Sequence, residues 1–147
     1  MDCTLLPERS IVVGAVFADK ALAIRACGEM LAKAGHVEPG YIDAMLERDR
    51  LSTTYIGNGV AIPHGTRDSR RFVKSTGLAL IQVPEGVDFG NGNVARLLVA
   101  LAAKGEEHLD LLSEIATICA DDEQLSRLLL ARTSSAILDV IAPDRKV

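Results

Sequence analysis

The sequence predicts an α/β domain with a mixed β-sheet of about five strands and helices on both faces. Three observations support this fold class. The chain has 147 residues, which fits a single domain extending over residues 1–147. Hydrophobic residues make up 48% of the chain, which is enough to form a proper core. β-Prone runs occupy the middle of the chain, whereas segments with a helical period occur towards both ends.

The N-terminal third is predicted to contain one strand and two helices. A short β-prone run at residues 11–13 is followed by a glycine. Asp19 is a suitable N-cap for a helix over residues 20–34, in which apolar residues recur with a helical period. Pro39 suits the first turn of a second helix, which runs from residue 41 to about residue 50.

Most of the sheet is predicted from the middle of the chain. The run at residues 77–83 ends at Pro-Glu-Gly, a turn signal, and a short extended piece follows at residues 87–89. The run at residues 94–102 is nearly all apolar, so its periodicity does not distinguish a buried strand from a buried helix. Its short length between two turn signals favours a strand. The other β-prone runs in this part of the chain are residues 52–56 and 60–62.

The C-terminal third changes to a helical period. Asp122 is a candidate cap for the second of its helices, and Thr133 or Ser134 is a candidate cap for the last. Strands in the middle of the chain with helices on either side of them imply a sheet that is covered on both faces. The three predicted helices are residues 106–120, 123–131 and 135–141.

Composition and charge exclude several classes of function. A formal net charge of -4 argues against a binder of nucleic acid or anionic membranes. The three cysteines, Cys3, Cys27 and Cys119, form no Cys-x-x-Cys pair, which fits neither a disulfide framework nor a zinc site and predicts a cytoplasmic protein. The N-terminus has no features of a secretory signal, and no stretch is long and apolar enough to cross a membrane. Any work at a membrane is therefore expected to go through a partner.

The most informative stretch runs from residue 57 to residue 66 and contains His64. Residues 60–62 predict a short buried strand, which Pro63 ends because it has no N–H to give to a neighbouring strand. Gly65 is expected to allow unusual dihedral angles and to leave the space beside the ring open. A histidine at the mouth of a sheet is a candidate ligand, base or nucleophile. The pattern is equally compatible with a loop histidine that has no chemical role.

Two further residues are candidates if the fold brings them close to His64. Locally, His108 fits a polar residue in the first turns of its helix, and Arg48 fits a solvated, charged helix end. If residues 94–102 lie beside residues 60–62, with their C-terminal ends on the same side, His108 comes near His64. An arginine beside that histidine would be a natural clamp for phosphate oxygens.

Two histidines and an arginine suit phosphoryl transfer through a phosphohistidine. A neutral imidazole nitrogen is a competent nucleophile near pH 7, and the glycine turn before residue 60 is expected to present backbone N–H groups to an oxyanion. Other chemistries fit less well, because the sequence has no His-Glu-x-x-His, no Gly-x-Ser-x-Gly and no Walker or dinucleotide glycine motif. The sequence therefore predicts neither a metal nor a cofactor.

The motif and its surroundings resemble a known family, the enzyme IIA domains of the mannitol/fructose class in the bacterial phosphoenolpyruvate-dependent sugar phosphotransferase system. The resemblance covers almost the whole chain, and its central decapeptide is specific. Two of its segments, Pro-Glu-Gly-Val at residues 84–87 and Ala-Arg-Leu at residues 95–97, are more similar to the mannitol branch than to the fructose or nitrogen-regulatory branches. The residues that carry it are 45–48, 52–66, 83–90, 95–98 and 107–109.

The resemblance implies a role for each candidate residue. His64 would accept a phosphoryl group from the histidine-containing phosphocarrier protein and pass it to a cysteine of a IIB domain. His108 matches the second active-site histidine of the family, and Arg48 matches its phosphate-interacting arginine. Many members are fused to IIB and membrane IIC domains, whereas this chain is expected to be free-standing, to dock its IIB partner and to meet the membrane only through a IIC partner. An alternative with the same residues is a regulatory phospho-acceptor that binds a protein partner without serving transport.

Overall fold

The sheet has five strands, which pair in both parallel and antiparallel directions, as the sequence predicts. The computed structural model describes residue 1 and residues 4–144, so Cys3 lies outside the described residues. The strands are β1 (Ile11–Val12), β2 (Tyr55–Gly57), β3 (Val60–Ala61), β4 (Gly77–Asp88) and β5 (Val94–Ala102). They lie in the order β1-β4-β5-β3-β2. The pairs β1–β4 and β3–β5 are parallel, and the pairs β4–β5 and β2–β3 are antiparallel.

Helices cover both faces of this sheet, which confirms the predicted fold class. Side chains alternate along each strand, so β4 and β5 present two apolar faces. The helices are α1 (Lys20–Lys33), α2 (Gly40–Leu51), α3 (Glu107–Ala120), α4 (Asp122–Leu130) and α5 (Ser134–Ile141), with short 3-10 helices at Glu8–Ser10 and Arg67–Phe72. One face of the sheet, including Ile81 and Leu98, packs against α1 and α2. The other face, including Leu80 and Leu97, packs against α3, α4 and α5.

Strand β4 is longer than predicted. It continues through the Pro-Glu-Gly turn signal instead of ending there, and its register with β5 shifts between Gln82 and Val87. A bulge of this kind accommodates a proline, which cannot donate to the ladder, and a glycine with a positive φ of 81° at Gly86. The predicted separate extended piece at residues 87–89 is therefore wrong for residues 87 and 88, which end the same strand.

Helix caps are partly as predicted. The Asp19 side chain accepts a hydrogen bond from the Leu22 backbone N–H at the start of α1. The prediction that Asp122 caps α4 is wrong: Asp121 has extended backbone, and its side chain accepts from Gln124 N–H, whereas Asp122 is the first helical residue. Of the two candidates for α5, Thr133 is the cap.

Both cysteines in the described part of the chain are buried. Cys27 and Cys119 are buried in the two cores, and burial raises the pKa of their thiols to about 12 and about 11, respectively. They are therefore core side chains and not reactive thiols. Among the helices in the described part of the chain, none has the length and hydropathy needed to cross a bilayer.

Candidate functional site

Ile62 and Pro63 join the end of β3 to His64, and the surrounding backbone fixes the His64 ring. The Pro63 carbonyl accepts from the Leu101 N–H at 2.9 Å, which ties this segment to the end of β5. The ring Nδ1 lies 2.8 Å from the Ile62 carbonyl oxygen, and only 9% of the residue is exposed. A carbonyl oxygen can only accept, so Nδ1 carries the hydrogen in this bond. Nε2 of the neutral ring therefore keeps its lone pair free for chemistry.

Gly65 is required by close packing and not by its backbone conformation. The Tyr41 hydroxyl accepts from the Gly65 N–H at 2.8 Å and donates to the Leu101 carbonyl at 2.9 Å. A Cβ added to Gly65 would lie 2.3 Å from Ser69 Oγ and 2.5 Å from Tyr41 Cε1. Gly65 does not have a positive φ. The expectation of unusual dihedral angles at this glycine is therefore wrong, and the adjacent space is filled by Tyr41 and Ser69.

The glycine turn before β3 lies away from the site. Gly57, Asn58 and Gly59 all have positive φ, at 104°, 54° and 81°. The turn joins β2 to β3 at the N-terminal end of β3, whereas His64 follows its C-terminal end. The Gly59 N–H donates to the Tyr55 hydroxyl at 2.9 Å. The prediction that this turn presents N–H groups to an oxyanion is therefore wrong.

His108 comes next to His64, as the predicted strand arrangement requires. Strands β3 and β5 are parallel, with Ala61 opposite Leu98, so their C-terminal ends lie on the same side of the sheet. The chain after β5 turns at Gly105 and enters α3, which places His108 in the first turn of that helix. The two imidazole rings have their centroids 5.1 Å apart and their planes at 67°, an edge-to-face arrangement.

Arg48 reaches the same place from the last turn of α2. Its guanidinium donates to the Ser52 carbonyl just beyond the helix. The next residue, Asp49, stabilises this segment: its Oδ1 accepts from the Thr54 N–H and hydroxyl at 3.1 and 3.0 Å, and its Oδ2 pairs with Lys20 Nζ at 2.9 Å. The structure thus brings together His64, His108 and Arg48, the three residues that the sequence singles out.

These three residues line one cavity of about 390 Å³. Its charged side chains are three arginines, Arg48, Arg67 and Arg70, and one acid, Glu106. The sequence reasoning did not identify Arg67 or Arg70, which belong to the 3-10 helix that follows the His64 motif. The available signal was the basic run directly after that motif. The full lining is Tyr41, Arg48, His64, Gly65, Thr66, Arg67, Arg70, Val73, Ala103, Glu106, His108 and Leu109.

The surroundings keep both histidines uncharged at neutral pH. Burial lowers the pKa of His64 below its usual range, the hydrogen bond to Ile62 partly offsets this, and the charges of Arg48 and His108 lower the pKa further. Burial also lowers the pKa of His108, and the charges of Arg70 and Arg48 add to that effect. Since an ordinary histidine has a pKa of about 6.5, both rings are neutral at pH 7. The site therefore combines uncharged imidazole rings with an excess of positive charge, which suits the binding of an anionic group.

The donor set does not suit a metal. Within residues 1 and 4–144, there is no group of three or more His, Cys, Asp or Glu side chains that could hold an ion. The positively charged side chains of the cavity are Arg48, Arg67 and Arg70.

The fold and this site suit a protein that transfers phosphoryl groups. Residues 4–143 match the family model described as "Phosphoenolpyruvate-dependent sugar phosphotransferase system, EIIA 2". The chain belongs to this family and is a phosphotransferase component, which confirms the resemblance to enzyme IIA domains.

The similar proteins include both sequences and solved structures. The mannitol-specific phosphotransferase enzyme IIA component of Geobacillus stearothermophilus is 45% identical over 141 residues, which cover 96% of this chain and 97% of that protein. The crystal structure of IIA mannitol from Escherichia coli has a TM-score of 0.87 at 37% identity and covers 93% of this chain and 99% of its own. The Escherichia coli complex of enzyme IIAMTL and phosphorylated enzyme IIBMTL has a TM-score of 0.89 at 36% identity, covering 94% of this chain and 97% of that chain.

Proposed function

We propose that the chain is a phosphocarrier of the sugar phosphotransferase system, in which His64 carries the phosphoryl group. The observation that carries this proposal is the bond from His64 Nδ1–H to the Ile62 carbonyl, at 2.8 Å. It leaves Nε2 as the nucleophilic nitrogen of a residue that lines the cavity. The whole chain, residues 1–147, then acts as one IIA domain.

The donor is the histidine-containing phosphocarrier protein. Nε2 of neutral His64 attacks the donor's phosphorus in line, the donor's P–N bond breaks, and its imidazole leaves with the electron pair of that bond. The His64 ring gains positive charge as the new P–N bond forms, and the Ile62 carbonyl, which accepts from Nδ1–H, stabilises that charge. Arg48 and His108 bind and orient the phosphoryl oxygens. No metal or cofactor takes part in this step.

The acceptor is a cysteine of a IIB domain, and the pathway serves mannitol or a related polyol. Support for the acceptor comes from the similarity to enzyme IIAMTL in its complex with phosphorylated enzyme IIBMTL. Support for the polyol comes from the mannitol-specific relative that is 45% identical. The protein works in the cytoplasm and reaches the membrane only through a IIC partner.

The test is phosphorylation of the purified chain by phosphoenolpyruvate, enzyme I and the phosphocarrier protein. We expect an acid-labile phosphoryl group on the wild type and on His36→Ala, and none on His64→Ala. His36 is a matched control because its Nδ1 is 2.9 Å from the Ser75 hydroxyl and it does not line the cavity. Circular dichroism verifies that both variants are folded. Undiminished labelling of folded His64→Ala would contradict the proposal.

The acceptor is tested separately by adding a mannitol IIB domain to the phosphorylated chain. We expect the label to move to IIB, and not to a IIB variant whose cysteine is replaced by serine. Stable labelling of His64 without transfer to any IIB domain would instead favour the regulatory phospho-acceptor.

A further inference from the structure

Two of the arginines in the cavity act on its histidines. The charge of Arg48 lowers the pKa of both His64 and His108, whereas the charge of Arg70 lowers that of His108 and is the larger of the two charge effects on that ring. Both arginines line the cavity that the two rings share. Arg48 comes from α2 and Arg70 from the 3-10 helix Arg67–Phe72, so the two guanidinium groups are delivered by separate elements.

The backbone that carries Arg70 is well anchored. The side chain of Ser69 is buried, and its hydroxyl donates to the Thr66 carbonyl at 2.6 Å. The Ser69 N–H also donates to Thr66 O, at 3.1 Å, and the Val73 N–H donates to Arg70 O at 3.0 Å. These bonds hold the segment against the loop that follows His64. The Arg70 side chain therefore starts from a fixed position on the wall of the cavity that His64 also lines.

The Arg70 guanidinium is available for an anion. Three ion pairs occur among the residues that the structure describes, and none of them includes Arg70. Glu106 lines the same cavity but forms no ion pair with Arg70. Arg70 is also an exposed residue, so this charge is not needed to compensate a buried acid.

The charge of the transferred group calls for more than one cation. A phosphoryl group carries about -1.5 to -2 charges near pH 7. Both histidines are neutral, and one nitrogen of Arg48 is already bound to the Ser52 carbonyl. A second guanidinium would balance the remaining charge and bind two oxygens through its planar fork.

We propose that Arg70 is a second phosphoryl-binding residue, whose guanidinium binds the oxygens of the phosphoryl group on His64 beside His108. This inference rests on the proposed function. Arg48 then holds the group from the α2 side and Arg70 holds it from the 3-10 helix. Arg70 touches the transferred group and is a catalytic residue in that sense.

Arg71 provides a matched control for the experiment. It is the next residue in the same helix, but its guanidinium lies over the Phe72 ring, 4.8 Å from the ring centroid, and it does not line the cavity. Arg70→Gln and Arg71→Gln remove the same charge from the same segment. Any effect of net charge on the encounter with the donor is therefore similar in both variants.

The measurement is the initial rate of phosphorylation by the phosphocarrier protein at limiting donor. We expect Arg70→Gln to lower the rate at least about tenfold, and Arg71→Gln to stay within about twofold of the wild type. Equal rates for the two variants, whether both lowered or both unchanged, would overturn the role of Arg70. Labelling of wild-type His64 is measured in parallel, so failure of the proposed function is distinguished from failure of this inference.

A second pair of variants keeps the test decisive if glutamine impairs folding. Arg70→Lys and Arg71→Lys keep the positive charge and lose the planar fork. We expect Arg70→Lys to be slower than Arg71→Lys by at least about threefold, since it loses bidentate binding. Thermal unfolding curves that coincide with the wild type exclude a folding effect. Identical rates for these two lysine variants would overturn the proposal.

Discussion

Strand β3 has a glycine-containing turn at each end, and the two turns use glycine for different reasons. At the N-terminal end, Gly57 and Gly59 have φ of 104° and 81°, a region that side chains disfavour. At the C-terminal end, Gly65 has no such φ, but a Cβ would meet Ser69 and Tyr41. In the first turn, the backbone conformation of the β2–β3 hairpin requires glycine. In the second, glycine is required because the site has no room for a side chain.

The comparison shows which groups supply the positive potential of the site. The N–H of Gly59 is bound to Tyr55 and the N–H of Gly65 to Tyr41, so neither glycine offers a free backbone donor. The positive charge around His64 comes instead from Arg48 and its neighbours in the cavity. A glycine-rich sequence near a histidine is thus a poor guide to how an anion is bound.

Replacing Gly65 by alanine should have the largest effect of the variants that compare the two turns. The added Cβ would lie 2.3 Å from Ser69 Oγ and 2.5 Å from Tyr41 Cε1, so these side chains or the loop that carries His64 must shift, and we expect the loop to move. We expect phosphorylation to slow by about 100-fold, since a displacement of about 1 Å has that cost in catalysis. The free energy of unfolding should fall by about 1–3 kcal/mol. Stopped-flow phosphorylation and urea unfolding measure the two effects, and a rate equal to that of the wild type would contradict the space requirement.

Replacing Arg48 by glutamine tests whether side-chain charge supports the chemistry. We expect transfer to slow about tenfold with the fold intact. In the wild type the pKa of His64 lies below its usual range, so acceptor activity should persist below about pH 6.5 and fall at lower pH as the ring becomes protonated. Loss of the Arg48 charge should raise this pKa, and the midpoint of the pH–rate profile should move upwards. A profile and a rate that match the wild type would remove Arg48 from the site.

Replacing Gly59 by alanine should have the smallest effect on transfer. Its φ is 81°, and the nearest atom to an added Cβ is 3.8 Å away, so the cost is backbone strain without a clash. We expect the free energy of unfolding to fall by about 1–2 kcal/mol and the phosphorylation rate to stay within about twofold of the wild type. Urea unfolding and the same rate assay measure both quantities. If transfer were lost while the fold remained intact, the hairpin turn would belong to the site after all.

The sequence could predict the arrangement that joins the two histidines. The apolar runs that became β3 and β5 are bounded by turn residues, and their parallel pairing brings His64 and His108 to the same edge of the sheet. Arg48 is a candidate because an arginine beside a histidine suits phosphate oxygens, and the family resemblance adds a phosphate-binding role. The placement of His108 beside His64 is confirmed because it depends on local patterns and on the general geometry of α/β sheets.

Other features could not be predicted because they depend on tertiary contacts. The run at residues 67–71 has the composition of an ordinary solvated segment, and Arg70 comes to the cavity because Ser69 is buried against the loop after His64. Tyr41 resembles any apolar residue of α2, yet its hydroxyl links Gly65 to Leu101. Asp121 and Asp122 are equally good cap candidates in the sequence. Only the backbone conformation, which is extended at Asp121, decides that Asp121 is the cap.

The two helical layers of the molecule each supply part of the site. Arg48 belongs to α2, which packs on one face of the sheet, and His108 belongs to α3, which packs on the other. On the proposed function, a chain in which either layer has detached retains His64 but loses one of the residues that bind the phosphoryl group. Acceptor activity would then belong only to completely folded molecules. Partly folded chains, during synthesis or under stress, would accept few phosphoryl groups.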